Sequence, residues 1–255
     1  MSLNYGALTK SADAQSSGFF DDLVDNFNTA FVTENRWQLV ASGLELTCFI
    51  AVGGFVLGSV LAAGLCWMSR RRNPVARGIV KAYSKLATGV PVLVWLMILY
   101  YVVFASVDVP APLVAILCFG LQMAASISGV YDTGLAAVDK GQVEAALAMG
   151  FSPFETFRRI VLPQAAARVW TLYAGQFSSL IKATSIVGYI AVQDLTKASD
   201  IIRSRTFQAF FPLLSTAVVY FAIIALCGWV FSRLGRLLDP KRRKPAAVLK
   251  GVQAR

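Results

Sequence analysis

The residue types that most often perform catalysis or bind metals are scarce in this chain of 255 residues. It contains no histidine, and its four cysteines (Cys48, Cys66, Cys118 and Cys227) lie in apolar stretches without CxxC spacing. Such cysteines are typical of small buried side chains, so neither a metal site nor a disulfide framework is predicted. The chain also lacks a nucleophile elbow and a phosphate-binding GxxxxGK(S/T) loop. We therefore expect a protein that is not an enzyme and that binds no metal or cofactor itself.

Lys182 lies deep in an apolar stretch, roughly 20 Å along a helix that begins near Val169, at 1.5 Å per residue. A lysine at this depth in a membrane costs about 3 kcal/mol, so it should face a cavity or a charged partner. It could attract a substrate carboxylate, move during gating, or form an ion pair within the bundle or with another subunit. Gln176 and Ser179 precede it at intervals of three, on the same helix face. The candidate residues for a substrate path or gate are Lys182, Gln176, Ser179, Thr184, Ser185 and Glu45.

The composition is that of a membrane protein. Apolar residues make up 56% and charged residues 15%, with a mean hydropathy of +0.61, whereas soluble domains are about half apolar and a quarter charged. Because the apolar blocks can each form the roughly 20-residue helix that crosses a bilayer, we predict an all-α fold with five transmembrane helices in one domain, 37–238. In the first helix, Gly54 and Gly58 form a GxxxG pair that permits close helix contact. The predicted spans are 39–68, 86–106, 113–131, 169–192 and 211–234.

Lysine and arginine are distributed unevenly between the two sides of these spans. Most of the 24 lie between spans one and two, between spans three and four, and after span five. Positive charge collects on the cytoplasmic side, so the C-terminus is predicted to be cytoplasmic and the N-terminus outside. Residues 1–36 would be an extracytoplasmic segment without the pattern of a cleavable signal peptide, and 239–255 a basic cytoplasmic tail. The net charge of +10 then needs no nucleic acid, and Lys241–Lys244 are expected to contact anionic membrane lipid.

The segment 139–163, between spans three and four, has the pattern of two short helices. Asp139 with a glutamine three residues later is typical of a capping box, and the alanines behind it favour a helix. Gly150 predicts a left-handed end to that helix. Ser152, followed by proline and then by Glu155 at the third helical position, predicts the start of the next. The proline that ends the segment predicts the start of the following helix.

A short helix at the membrane surface can fit a groove in a soluble partner. The small side chains of Ala145 and Ala146 would let such a partner approach closely, and Glu144 offers a directional charge. The alternative is an ordinary amphipathic loop that shields the ends of the bundle. Composition alone leaves both interpretations open.

The spacing in this segment resembles the EAA loop of ABC importer permeases, EAA-x3-G-x9-I-x-LP. Its flanks resemble the polar-amino-acid permease family of histidine, glutamine or arginine type, through Gly89-Val90-Pro91, Lys140-Gly141-Gln142, Lys182-Ala183-Thr184-Ser185 and Arg205-Thr206-Phe207. The resemblance covers roughly 37–238. It implies that the segment couples to an ATPase. The coupling residues would be Gln142, Glu144, Ala145, Ala146, Gly150, Ile160, Leu162 and Pro163.

The resemblance further implies a type I ABC importer permease in the bacterial inner membrane. Its partners would be a dimer of ABC ATPase subunits, a second identical or homologous permease subunit, and an extracytoplasmic substrate-binding protein. ATP and Mg would bind to the partner ATPase and not to this chain. The residues expected to dock the binding protein are Asp194, Lys197, Asp200, Arg203 and Arg205.

The implied cargo is a polar or charged amino acid, with an opine, a small peptide or an amine as alternatives. Where the family carries a Y-x-x-E-x-x-R pattern after span three, this chain has Ser126, Gly129 and Asp132, so the identity of the cargo is left open. A channel or a secondary transporter would explain the spans and Lys182, but it would leave the EAA spacing without a cause.

Overall fold

The computed structural model describes residues 24–71 and 73–238, and every regular element in that part of the chain is helical. From Trp37 onward the α-helices are α1 (Trp37–Ser69), α2 (Pro74–Gly89), α3 (Val92–Ile98), α4 (Ala111–Ala136), α5 (Lys140–Ala148), α6 (Pro153–Thr156), α7 (Leu162–Ala183), α8 (Leu195–Thr206) and α9 (Phe210–Leu238). Shorter π-helical or 3-10 turns occupy Asn28–Val32, Thr33–Asn35, Leu99–Val103, Phe157–Val161 and Thr184–Ile190. The all-helical fold class predicted from the sequence is confirmed for these residues.

Three of these helices, α1, α4 and α9, are long and apolar enough to cross a membrane. They contain the predicted spans 39–68, 113–131 and 211–234 and extend each by one to five residues at its ends. A bent helix pair would bring the number of spans in the described residues to four. The count of five, the placement of the two termini and the predicted domain limits stay predictions, and most of the segments 1–36 and 239–255 lies outside the described residues.

The second predicted span, 86–106, is wrong as a continuous helix. The chain bends by 101° between α2 and the helical run that α3 begins. Pro91 disfavours helical backbone at the residue before it, and Val90 accordingly adopts an extended conformation (φ −107°, ψ 135°). Asn73 starts α2 by accepting a hydrogen bond from the backbone N–H of Val75 at 2.9 Å. The apolar residues of this region are therefore divided between two helical segments that meet at a sharp bend.

The fourth predicted span, 169–192, is shifted in the structure. Helix α7 ends at Ala183, and the 3-10 turn that follows it ends where Ala191 takes a left-handed conformation (φ 61°). Helix α7 begins at Leu162 with Pro163 in its first turn, as predicted, but the backbone is already helical before it, from Pro153 onward. Proline cannot donate to the carbonyl four residues earlier, and the π-helical turn just before it is the kind of wider turn that such an interruption produces.

The packing of the bundle starts from α1, which packs most extensively against α4. The predicted close contact through the GxxxG pair is confirmed. A β-carbon placed on Gly58 would lie 2.6 Å from the Cβ of Met123, and one on Gly54 would lie 3.0 Å from the Cβ of Phe119. Glycines here bring the two backbones together, so that α1 and α4 form one unit.

The remaining helices are added to this pair. Helix α7 packs on α4, and α9 packs on α7. A cluster of rings joins them: Phe55 of α1 lies within 4.8 Å of both Tyr173 and Phe177 of α7, and Phe231 of α9 lies 5.6 Å from Phe177, measured between ring centroids. Helix α8 closes the end of the bundle at which α1 begins, and the segment from α5 to α6 lies at the opposite end.

The glycine contact can be tested with a matched pair of substitutions on α1. Gly58→Val should destabilise the protein by about 1–3 kcal/mol, because the added methyl groups overpack the contact with α4. Gly64→Val should have little effect, since a β-carbon at Gly64 meets no atom within 4 Å. Thermal unfolding of the purified full-length chain in detergent measures both variants, and equal shifts would contradict the contact.

Candidate functional site

The segment between α4 and α7 is built as two helices joined by a fixed turn. Asp139 caps α5, with its Oδ1 accepting from the backbone N–H of Gly141 at 2.8 Å, but the reciprocal bond from Gln142 that would complete the predicted capping box is not formed in the described residues. At the other end of α5, Gly150 has φ +88°. Its N–H donates to the carbonyl of Leu147 at 3.0 Å, and the N–H of Phe151 donates to that of Ala146 at 3.2 Å. This is the bonding pattern of a Schellman cap, so the left-handed end predicted at Gly150 is confirmed.

The second helix of this segment, α6, begins with the predicted capping box. The hydroxyl of Ser152 accepts from the N–H of Glu155 at 3.2 Å, and the N–H of Ser152 donates to the Glu155 carboxylate at 3.1 Å. Arg159 adds an ion pair to the same carboxylate at 3.6 Å. The hydrogen bonds from Ser152, and then the charge of Arg159, lower the pKa of Glu155. The turn between α5 and α6 is thus fixed on both sides.

Most of the predicted coupling residues of this segment lie on its surface. The exposed residues are Gln142, Glu144, Ala145, Gly150, Leu162 and Pro163, and Ile160 is half-buried. Ala146 is different: it is 1% exposed. It therefore packs inside its own chain, and its small size is needed there, not for the approach of a partner. Glu144 makes no ion pair with the described residues, so its charge is available at the surface.

The tip of this segment carries three exposed apolar side chains that the sequence analysis did not single out. Leu147, Met149 and Phe154 are 45%, 70% and 70% exposed. They lie on either side of the Gly150 turn, outside every predicted span. Large apolar residues next to a helix-terminating glycine in an otherwise polar segment were the signal that could have identified them. We call these three residues the apolar tip.

The polar residues predicted for the path on α7 differ in their exposure. Ser179 and Lys182 are exposed, Gln176 is half-buried, and the opposite face buries Phe177 and Leu180. Lys182 forms no ion pair with any described residue, so a salt bridge within this chain is not the explanation for its charge. The structure therefore brings Ser179 and Lys182 together on one open face.

The other predicted path residues have different environments. Thr184 is fully buried and donates to the carbonyl of Ile181 at 2.7 Å, and Ser185 donates to the carbonyl of Lys182 at 2.8 Å. Both hydroxyls therefore satisfy carbonyls at the end of α7. Glu45 is exposed on α1 and makes no ion pair within the described residues.

Asp194, predicted to dock a binding protein, has the wrong location for that role because its side chain is completely buried. It caps α8 by accepting from the N–H groups of Thr196 and Lys197 at 3.2 and 3.0 Å, and Tyr220 of α9 donates to it at 3.5 Å. Burial raises the pKa of this carboxyl, and these hydrogen bonds oppose the shift. The backbone N–H of the next residue, Leu195, donates to the hydroxyl of Thr47 in α1 at 3.2 Å.

The remaining residues predicted for docking lie along α8. Asp200 and Arg203 form an exposed ion pair at 2.8 Å, one helical turn apart. Arg205 is exposed, and Lys197 is half-buried beside Gly188. An exposed, mixed-charge surface therefore remains at this end of the bundle without Asp194.

Asp132 lies at one of the positions where the sequence departs from the family pattern, and it joins the ends of α1 and α4. Its Oδ1 lies 3.1 Å from Nε of Arg70, and its backbone carbonyl accepts from the same guanidinium at 3.2 Å. Ser69 also donates to the carboxylate at 3.2 Å. In residues 24–71 and 73–238, no group of three or more His, Cys, Asp or Glu is arranged to hold a metal ion.

Comparison with known families agrees with this arrangement. The model of the family described as "Binding-protein-dependent transport system inner membrane component" matches residues 40–244. The chain belongs to this family. Membership places it in an inner membrane as a component of a transport system. The matched residues include both the α5–α6 segment and α8.

Individual members of the family are similar over most of their length. The probable amino-acid ABC transporter permease protein YckA of Bacillus subtilis (strain 168) is 31% identical over 201 residues, which are 78% of this chain and 88% of that protein. The L-cystine transport system permease protein TcyL of the same strain is 30% identical over 196 residues, 74% of this chain and 82% of that protein.

Two solved structures share the fold. The crystal structure of an amino acid ABC transporter with histidines matches with a TM-score of 0.72 and 25% identity, over 81% of this chain and 97% of that one. An inward-facing MetNI methionine ABC transporter matches with a TM-score of 0.67, over 79% of this chain and 97% of that one. At 17% identity the second match bears on the fold alone. The permease fold of ABC importers is thus established for this family member.

The backbone at Gly150 yields a test of the turn between α5 and α6. A β-carbon there would meet no atom within 4 Å, so any cost of substitution comes from the left-handed backbone. Gly150→Val should lose about 1–2 kcal/mol of local stability, whereas Gly150→Asn should lose less, because asparagine tolerates this conformation.

Hydrogen–deuterium exchange of the amides of residues 147–151 measures the difference. The expected increase for the valine variant is about 5–30-fold. Similar exchange in both variants would show that the backbone conformation of Gly150 is not what holds the turn.

Proposed function

We propose that this chain is the permease subunit of an ATP-driven importer for polar or charged amino acids, in a bacterial inner membrane. The observation that supports it most is the fixed α5–α6 turn, with Glu144 and the apolar tip exposed at one end of the bundle. The amino-acid permeases among its relatives support the class of cargo. The charge distribution favours a cytoplasmic location for this end.

The partners follow from the same proposal. A dimer of ABC ATPase subunits, with ATP and Mg bound to it, binds the α5–α6 segment, and a substrate-binding protein delivers the cargo at the α8 end. A second permease subunit completes the path. This chain contributes no catalytic residue: its own task is to convert movement of the ATPase into movement of its helices.

The apolar tip provides the contact with the ATPase. A rigid helix that presents apolar side chains next to a charge fits the pattern of helix-in-groove recognition. Because α6 continues through the π-helical turn into α7, force on the tip is transmitted to the helix that carries Lys182. The Schellman cap and the capping box keep the tip from moving independently of α7.

The open polar face of α7 provides the route for the cargo. Lys182 and Ser179 are exposed, and neither side chain has a hydrogen-bond or ion-pair partner in the part of the chain that the structure describes. A positive charge and a hydroxyl suit the carboxylate of an amino acid. The exposed surface of α8, with Asp200, Arg203 and Arg205, provides the contact for the binding protein.

Reconstitution tests the proposal as a whole. Proteoliposomes that contain the chain, the ATPase and the binding protein should take up a radiolabelled amino acid only with ATP. Thermal shift of the binding protein with a panel of polar amino acids, opines, peptides and amines identifies the cargo. Uptake at the same rate without the ATPase would overturn the importer function.

Charge substitutions test whether the apolar tip, and not the other end of the bundle, binds the ATPase. Met149→Glu and Phe154→Glu should each weaken ATPase binding by about 30-fold or more, the effect of losing a central interface residue. Phe207→Glu is the matched control, because Phe207 is 94% exposed but follows α8. Co-purification of the ATPase measures all three variants. Normal ATPase binding by both tip variants would exclude this contact.

The role of Lys182 can be tested by removing its charge. Lys182→Met should fold and bind the ATPase normally, because the side chain is exposed and unpaired in the described residues. Uptake should fall by about tenfold, the loss of one charge-assisted hydrogen bond to a carboxylate. Lys182→Arg should restore most of the uptake. Unchanged uptake by the methionine variant would mean that the lysine neither contacts cargo nor takes part in gating.

A further inference from the structure

A cavity of about 530 Å³ lies at the end of the bundle that carries the α5–α6 segment. It lies between the C-terminal ends of α1 and α4 and the first half of α7, and its lining includes Trp67, Tyr131, Trp170 and Tyr173. These α7 residues lie on a different helix face from Ser179 and Lys182. The size is within the range of about 300–1,000 Å³ that small-molecule sites have.

The chemistry of the cavity walls is apolar. The indole N–H of Trp170 donates to the backbone carbonyl of Phe231 at 2.6 Å, so only the ring is left to line the cavity. Toward the middle of the bundle, Tyr131 and Tyr173 stack with their centroids 6.0 Å apart, and the hydroxyl of Tyr173 bonds to Ser59 at 2.8 Å. The charged group in the lining, Arg70, is already paired with Asp132.

The mouth of the cavity has a different character. Trp67 and Leu162 line it while remaining 62% and 46% exposed. Arg71 does not line the cavity but adjoins it: its guanidinium lies over the ring of the lining residue Trp67, 3.7 Å from the ring centroid. Arg71 has no carboxylate partner in the described residues, so its donors are free for a ligand. Arginine binds phosphate through two parallel hydrogen bonds.

We propose that this cavity binds one acyl chain of an anionic phospholipid, with the phosphate of the lipid held by Arg71 at the mouth. An apolar interior with a cation at its entrance matches a molecule with an apolar tail and an anionic head. Basic pockets between transmembrane helices bind lipid headgroups in this way. Tryptophan at the mouth is also typical of the level at which headgroups lie.

Charge decides between the lipid and the nearest alternative occupant. The tail after Leu238 follows the part of α9 that packs on Trp170, where Gly235 lies against the indole. It includes the basic run Lys241–Lys244, which the positive charge of Arg71 would repel if the tail entered the cavity.

Native mass spectrometry of the full-length chain tests the site, with palmitoyl-oleoyl phosphatidylglycerol and phosphatidylcholine as probes. We expect phosphatidylglycerol to bind about tenfold more tightly, the value of one charge-assisted contact. Arg71→Gln should remove this preference, and Lys81→Gln, an exposed cation on α2, should keep it. Equal binding of the two lipids to the native chain, or an unchanged preference in Arg71→Gln, would overturn the proposal.

Two further variants locate the acyl chain. Ala63→Trp fills the cavity from α1 and should abolish retention of phosphatidylglycerol, whereas Val60→Trp, at a residue 67% exposed and outside the lining, should not. Retention by Ala63→Trp would place the lipid elsewhere. A chain truncated after Leu238 should bind the lipid no more tightly than the full-length chain. Tighter binding after truncation would mean that the tail occupies the cavity, which also overturns the proposal.

Discussion

The close contact between α1 and α4 is the constraint on which the other elements depend. Gly54 and Gly58 on α1 leave no space for a β-carbon, and Gly120 on α4 lies as tightly against Leu57. In a membrane, where apolar side chains gain little by leaving lipid for protein, such backbone proximity is a main source of helix association. Helix α7 packs on α4, and α9 packs on α7, so the positions of both the polar face and the coupling segment are set by this first contact.

Helix α1 also connects the two ends of the bundle. Near its start, the hydroxyl of Thr47 accepts from the N–H of Leu195, beside the buried Asp194 cap of α8. At its end, Arg70 is paired with Asp132 of α4, just before the coupling segment. A buried polar network is well satisfied at one end, and an exposed ion pair is added at the other. Because exposed pairs contribute little to stability, the second connection is the one that can break and form again at low cost during movement.

The sequence predicted the local structure of the coupling segment better than the paths of the spans. Caps at Asp139, Gly150 and Ser152 depend on residues close in sequence, so their patterns were sufficient. The break at Pro91 was missed because apolar residues continue across it, and apolar content alone does not reveal a 101° bend. The helical continuation through Pro163 was missed because a π-helical turn accommodates the proline, which its residue type does not indicate.

Site residues were predictable only in part, because contacts between residues that are distant in sequence decide which side chains are buried. Asp194 belongs to a mixed-charge stretch that reads as solvated surface, and its burial follows from the approach of Tyr220 and the start of α1, which are distant in sequence. Conversely, Met149 and Phe154 belong by composition to a core, yet the turn at Gly150 exposes them. In both cases tertiary contacts decide the outcome, and they reverse what hydropathy alone indicates.

The exposed surface of the bundle includes two helix faces of different chemistry. Only 6% of the most apolar stretch of helix α9 is buried in the bundle. Its exposed apolar surface can be covered by lipid without cost. The exposed face of α7 is different, because Ser179 and Lys182 have no partners in the described residues. A lysine that faces hydrocarbon costs about 3 kcal/mol, so this is the face that the proposed second permease subunit would cover. The polar residues with no function inside their own chain are therefore the ones that the proposed pair of permeases would use.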